Sequence, residues 1–133
     1  MTKGAFLGRV SSDEQEEKGT IENQVAYARK YIELHGPEDG IDEMEFYLDD
    51  GVSGTIPLEE RPDGRRLVED SKAGKFKTLY VYRLDRLARS VKIVLDVYEL
   101  LEAHNVALKS MTESFDTGTP TGKFFMTLLA NIS

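Results

Sequence analysis

The sequence predicts an α/β fold, with a mostly parallel central sheet of about four to five strands flanked by helices. The first observation behind this prediction is that strand-like and helix-like segments alternate in the order β-α-β-α-β-α-β. Such alternation places parallel strands in one sheet with helices on its faces. The second is that the chain has 133 residues, 40% hydrophobic and 31% charged, which suits one domain with one core.

The first half of the chain predicts two strands and two helices. GAFLGRV at 4–10 reads as a short buried strand, and 20–36 as a helix because its apolar residues recur on one face. Gly36-Pro37 is expected to end that helix, and a charged loop over 36–44 to lead into a second strand, EFYLDD at 45–50. After a Gly-rich turn, residues 63–73 predict a short helix closed by Gly74.

The second half predicts two more strands and two more helices. TLYVY at 78–82 is rich in β-branched and aromatic residues, and VALKSM at 106–111 forms the fourth predicted strand. Ser90 is expected to cap a helix over 91–104, and Thr121 to cap a last helix after a loop at 117–120. Apolar residues cover most of that last helix, so we expect a second subunit or another domain to cover part of it. The alternative is a short helix tucked wholly into the core.

Composition restricts the chemistry. The chain has no cysteine and only two histidines, so disulfides and thiolate metal sites are excluded, and we expect neither a metal nor a cofactor. No apolar run is long enough to cross a bilayer, and the N-terminal segment turns polar early, so we expect a cytoplasmic protein with no membrane partner. The net charge of -7 predicts that this chain alone binds DNA weakly.

Polar side chains follow three of the predicted strands. Arg9 and Ser11 follow the first, Asp50 and Ser53 the second, and the third is followed by Arg83, Asp85, Arg86 and Arg89. Because ligands bind beyond the carboxyl ends of parallel strands, these side chains are expected to meet at one rim. A serine among arginines suits phosphoryl transfer, since guanidinium groups bind phosphate oxygens and stabilise the charge that develops on them. The alternative is that they are solvated charges and surface ion pairs, such as Asp85 with Arg89.

Several motifs, in this order along the chain, resemble the catalytic domain of the serine recombinases. Arg9-Val10-Ser11 with Gln24 in the first helix resembles the opening of that family, and Asp50-Gly51-Val52-Ser53-Gly54 resembles its D-x-x-S-G turn. Arg61-Pro62, the block from Arg83 to Arg89 with its [KR]-L-D-R-L-x-R pattern, and Gly122-Lys123 complete the match. Many members of the family have a tyrosine where this chain has Leu7, which puts one supporting contact in doubt.

The resemblance implies a role for each of these residues. Ser11 would be the nucleophile that joins a DNA 5′ phosphate, while the phosphate would be contacted by Arg9, Arg61, Arg86 and Arg89. Asp85 and Arg86 are candidates for proton transfer, and Gln24, Asp50 and Ser53 for support. Ser12 is the rival nucleophile, but side-chain alternation at a strand end turns it away from Ser11.

The resemblance also implies a domain organisation and a reaction. Residues 1–120 would form the catalytic domain, and residues 121–133 the truncated start of a long interface helix, with the DNA-binding region absent from the chain. The reaction would be site-specific DNA recombination through a phosphoserine intermediate. A homodimer would assemble into a tetramer on DNA, while the chain by itself would be a monomer or a weak dimer.

Three alternatives stay open. The loop at 36–44 and the extended SGTIPLEERPDG segment favour a large serine integrase over a small resolvase or invertase. A non-catalytic α/β module similar to a response-regulator receiver would use Asp49-Asp50 to bind a metal. A recombinase-like domain that has lost activity would only dimerise.

Overall fold

A computed structural model describes residues 2–11 and 20–132. Five strands form one sheet within that part of the chain, in the order β2-β1-β3-β4-β5. They are β1 (Thr2–Val10), β2 (Ile41–Asp50), β3 (Thr78–Val81), β4 (Ala107–Ser110) and β5 (Phe115–Asp116). All pairings are parallel except that of β5 with β4. The predicted fold class is therefore confirmed.

Helices cover both faces of the sheet. They are α1 (Thr20–Asp39), α2 (Pro62–Lys72), α3 (Leu84–Leu87), α4 (Val91–Ala103) and α5 (Pro120–Ile132). Alternation along β1 sends Leu7 into a core shared with α2, α4 and α5, and sends Phe6 into a smaller core under α1. Because both faces of β1 are buried, its central residues from Gly4 to Gly8 are apolar without interruption rather than alternating with polar ones.

The predicted end of the first helix is wrong. α1 continues through Gly36-Pro37 to Asp39, and Gly40, at φ 72°, ends it. The last turn is held from outside the helix, because the Asp39 carboxylate accepts a hydrogen bond from Tyr80 at 2.6 Å and pairs with Lys109 at 3.1 Å. These contacts stabilise a turn that local sequence disfavours.

The predicted loop at 36–44 is also wrong. Its first residues belong to α1, and β2 begins at Ile41, where pairing with Thr2 starts. β2 lies at the edge of the sheet, so Asp42 and Glu43 can be both exposed and part of the strand. One of the two grounds for the large integrase subtype is thereby removed.

The C-terminal boundaries also differ from expectation. The short strand β5 was not anticipated, and α5 begins at Pro120 rather than after Thr121. The Oγ1 of Thr119 accepts from the N–H of Gly122 at 3.1 Å, so Thr119 is the cap, with proline at the first helical position. Ser90 does cap α4, as predicted, through the N–H of Ile93. None of the described helices has the length and apolar character needed to cross a bilayer.

Candidate active site at the carboxyl ends of the strands

The segments that follow β1, β2 and β3 meet at one rim of the sheet. Ser11 directly follows β1 and is half-buried. The preceding carbonyl, that of Val10, accepts hydrogen bonds from the N–H groups of Gly51 at 2.8 Å and Val52 at 2.9 Å. The loop after β2 is thus fastened to the residue next to Ser11. Ser12 lies outside the described residues.

Arg9 joins all three segments from a fully buried position. Its Nη1 donates to the carbonyl of Val52 at 3.0 Å, its Nη2 to that of Asp85 at 2.8 Å and its Nε to that of Arg86 at 3.1 Å. These carbonyls belong to the loop after β2 and to α3. Arg9 therefore organises the rim, in addition to any contact with phosphate that the sequence predicts for it.

Gln24 supports the same residue from α1. Its Oε1 accepts from the N–H of Arg9 at 3.3 Å, and its Nε2 donates to the carbonyl of Arg9 at 3.2 Å. The last described pair between β1 and β3 is Leu7 with Val81, so the buried Gln24 amide bonds the main chain of β1 beyond that point. Gln24, which the sequence predicts to be a supporting residue, thus holds the main chain at the end of β1.

Arg61 is the N-cap residue of α2 and is only 1% exposed. Its Nε donates to the carbonyl of Ile56 at 2.9 Å, but neither of its buried terminal nitrogens, Nη1 and Nη2, has a hydrogen-bond partner among residues 2–11 and 20–132. Burial, together with the nearby positive charge of Arg9, lowers the pKa of Arg61 to about 10. A buried cation with two unused donors is costly unless an anion completes it, so this point of the rim is suited to binding one.

Asp49 holds α2, and sequence reasoning missed this role. Its Oδ1 accepts from the N–H of Asp63 at 2.8 Å and its Oδ2 from that of Gly64 at 3.1 Å. A residue of β2 thus provides the acceptors for two N–H groups in the first turn of α2, which have no partner within the helix. Burial raises the pKa of the Asp49 carboxyl, against the lowering effect of these hydrogen bonds and of Arg61. In the alternative of a receiver-like module, the Asp49 carboxylate would bind a metal. In this structure both of its oxygens instead cap α2.

The segment after β3 places four predicted residues along the rim. Asp85 and Arg86 lie on α3, with Arg86 Nε 3.9 Å from Asp85 Oδ1, and Arg83 precedes the helix. Arg89 follows it, and its N–H donates to the carbonyl of Gly54 at 3.0 Å. A Cβ on Gly54 would lie 2.8 Å from Cγ of Arg89 and 3.0 Å from Cζ of Arg9, so only glycine allows the loop this close.

The two remaining candidates lie in or beside the loop after β2. Asp50 is the exposed last residue of β2, in register with Val10. Ser53 Oγ lies 2.8 Å from Thr55 Oγ1 and accepts from the N–H of Thr55 at 3.2 Å, which shapes the turn. Over residues 2–11 and 20–132, no three acidic or histidine side chains are grouped as metal ligands.

Known proteins resemble this chain along most of its length. A family model described as the N-terminal domain of resolvase matches residues 5–133. A DNA-invertase of Escherichia phage P1 is 31% identical over 114 residues, covering 86% of this chain and 55% of the invertase. The serine recombinase gin of Escherichia phage Mu is 33% identical over 89 residues, covering 67% of this chain and 44% of that protein. The chain therefore spans about half the length of the curated relatives it matches.

Two solved structures share its fold. The N-terminal catalytic domain of TP901-1 integrase superposes with a TM-score of 0.83 at 34% identity, covering 98% of this chain and 93% of that domain. A resolvase family site-specific recombinase from Streptococcus pneumoniae gives a TM-score of 0.79 at 23% identity, covering 99% of this chain and 85% of the recombinase. This second likeness supports the fold alone.

Proposed function

The chain belongs to the resolvase N-terminal domain family of serine recombinases, and from this premise we propose that it catalyses DNA strand cleavage and rejoining in site-specific recombination. Residues 1–120 are the catalytic domain in this proposal, and α5 begins an interface helix. DNA is the substrate, and it is positioned mainly by parts of the protein outside this chain, because the chain itself carries a net charge of -7.

The observation that carries the proposal is the buried Arg61 guanidinium, whose two terminal nitrogens have no hydrogen-bond partner in the part of the chain that the structure describes. Such a group gains most from a ligand that offers paired anionic oxygens, which is what a phosphodiester presents. Arg61 also lies close enough to Arg9 for the charge of one to lower the pKa of the other. Ser11 follows Arg9 by two residues, and in this proposal the nucleophile lies beside the site that would hold the phosphate.

In the proposed reaction, the Ser11 hydroxyl oxygen attacks the phosphorus of a DNA phosphodiester and loses its proton. A bond forms between Oγ and phosphorus, the bond from phosphorus to the 3′ oxygen breaks, and that oxygen takes up a proton as the 3′ hydroxyl. Arg61, Arg86 and Arg89 stabilise the negative charge on the phosphoryl oxygens in the transition state. Asp85 and Arg86 are the groups proposed to move the two protons. The reverse attack by a 3′ hydroxyl of the exchanged strand rejoins the DNA and releases Ser11.

Within the family, we propose the large serine integrase type, working as a homodimer that pairs into a tetramer on DNA. Its support is the 34% identity to the catalytic domain of TP901-1 integrase over nearly the whole chain. The similarity to phage invertases at 31% and 33% identity keeps the small invertase type as the alternative.

The test of the proposed function is a covalent adduct between protein and DNA. The full-length protein would be incubated with a supercoiled plasmid library of candidate sites and then denatured, comparing the wild type with Ser11→Ala and with the matched neighbour Ser12→Ala. We expect an adduct that only Ser11→Ala abolishes. If the wild type binds a site but forms no adduct, the proposal fails, and a domain that only dimerises becomes the better account.

A further inference from the structure

The N-terminus of α3 is capped by a residue that the sequence did not single out. α3 is a single turn, and its N-cap residue, Arg83, makes no side-chain cap hydrogen bond. Instead, Oε1 of Glu113 accepts from the N–H of Leu84 at 3.0 Å. Glu113 lies between β4 and β5, 29 positions further along the chain, so this cap is a tertiary contact.

The Glu113 carboxylate is itself held in place from the sheet. The hydroxyl of Ser110, the last residue of β4, donates to the same Oε1 at 2.9 Å and is 3.5 Å from the carbonyl of Tyr82. Ser110 is buried, so its hydroxyl is a fixed donor rather than a mobile surface group. The carboxylate thus links the rigid end of β4 to the start of α3.

A helix of one turn has little stability of its own, so outside contacts decide where it lies. Arg9 holds α3 through the carbonyls of Asp85 and Arg86, and Glu113 holds it through the N–H of Leu84. The side chains of Asp85 and Arg86 leave the main chain between these two attachments. Their direction therefore depends on both.

We propose that Glu113 is a positioning residue for strand cleavage, because its carboxylate fixes α3 and with it the side chains of Asp85 and Arg86. The inference rests on the proposed function, which places those two residues at the reacting phosphate. Glu113 touches neither the phosphate nor Ser11 in this account. Its loss should slow the chemical step without weakening the binding of DNA.

The first experiment measures two things for Glu113→Ala and Glu113→Gln in the full-length protein: the rate of Ser11 adduct formation at saturating protein, and the affinity for the same DNA. Losing a cap of this kind predicts a roughly fivefold to tenfold slower rate for Glu113→Ala, with affinity unchanged. The glutamine keeps an oxygen acceptor, so it should return the rate to within about twofold of the wild type. Glu99→Ala, on the exposed side of α4, is the matched control and should cleave normally.

A second measurement needs no activity. Hydrogen exchange of the Leu84 amide should be faster in Glu113→Ala than in the wild type, and Glu113→Gln should slow it again, while amides in β1 keep their protection. Unchanged exchange at Leu84 would overturn the inference even if no DNA site were cleaved. If Glu113→Ala forms the Ser11 adduct at the rate of the wild type, the inference is also wrong, while the proposed function stands. Absence of any adduct from the wild type would instead contradict the proposed function.

Discussion

The two buried arginines of the rim differ in what their donors already do. Three side-chain nitrogens of Arg9 bond to main-chain carbonyls, whereas both terminal nitrogens of Arg61 have no hydrogen-bond partner among the described residues. Arg61 therefore has side-chain donors available to bind an anion, whereas those of Arg9 are already used. In contrast, Arg9 must keep the loop after β2 and α3 together, and replacing it would disturb the site whatever else it does.

The state of Arg61 leads to a prediction about anion binding. Its pKa is lowered to about 10, so at neutral pH the folded domain bears the cost of a buried charge, and that cost disappears only as pH rises through this value. Binding of inorganic phosphate should relieve this cost. A phosphate concentration of about ten times the dissociation constant would stabilise the domain by ~1.4 kcal/mol, which corresponds to a rise in Tm of roughly 4–6 °C. Thermal unfolding across a phosphate series, at constant ionic strength, measures the effect.

Arg61→Met should lose this response to phosphate. The matched control is Arg65→Met, one turn along α2 on its exposed side, which should respond as the wild type does. An equal gain in Tm for wild type and Arg61→Met would mean that phosphate binds elsewhere, and would remove the main support for the proposed function.

At the scale of the helices and strands, local pattern predicted the elements but not their ends. β1 and β3 could be predicted because continuous apolar and β-branched residues are typical of strands buried on both faces. The last turn of α1 could not, because it depends on Tyr80 and Lys109, which are far away in sequence. In the same way, the meeting of the segments after β1, β2 and β3 at one rim followed from strand order, while the caps supplied by Asp49 and Glu113 exist only once the sheet has formed.

The α2 helix carries a prediction about its cap. Asp49→Ala leaves the N–H groups of Asp63, which is part-buried, and of Gly64, which is buried, without their acceptor and should lower the free energy of unfolding by roughly 2–4 kcal/mol. Asp49→Asn keeps one oxygen acceptor and should fall between the alanine variant and the wild type. Urea unfolding near neutral pH measures both, with Asp42→Asn on the exposed side of β2 as a control expected within about 0.5 kcal/mol of the wild type.

The pH dependence of the same variants checks the cause. Burial raises the pKa of Asp49, so the folded chain holds this proton more tightly than the unfolded chain does. Its contribution to stability is then fully present below the ordinary value of 3.8 and is lost as pH rises through the raised pKa. The wild type should lose stability relative to Asp49→Asn across that window. If the wild type instead gains stability relative to Asp49→Asn as pH rises, the hydrogen bonds to the Asp49 carboxylate outweigh the effect of burial on its pKa.

At the scale of the whole molecule, α5 exposes several large apolar side chains. Phe124, Leu128 and Ile132 are 62%, 47% and 81% exposed, while only Gly122 and Met126 of this helix are buried. The alternative of a last helix tucked wholly into the core is therefore wrong. Burying side chains of this size is worth roughly 1.5–3 kcal/mol each, which favours association with another apolar surface.

The proposed homodimer gives this surface an occupant and a test. Phe124→Asp in the full-length protein should weaken self-association at least about tenfold, since it replaces a large apolar contact with a charge that would need to be desolvated. The free energy of unfolding of the monomer should change by less than about 0.5 kcal/mol, because Phe124 is mostly exposed. Sedimentation equilibrium measures the association, and Glu99→Asp on α4 is the control. Unchanged association in Phe124→Asp would show that the dimer forms through another face, and the exposed residues of α5 would then need a different partner.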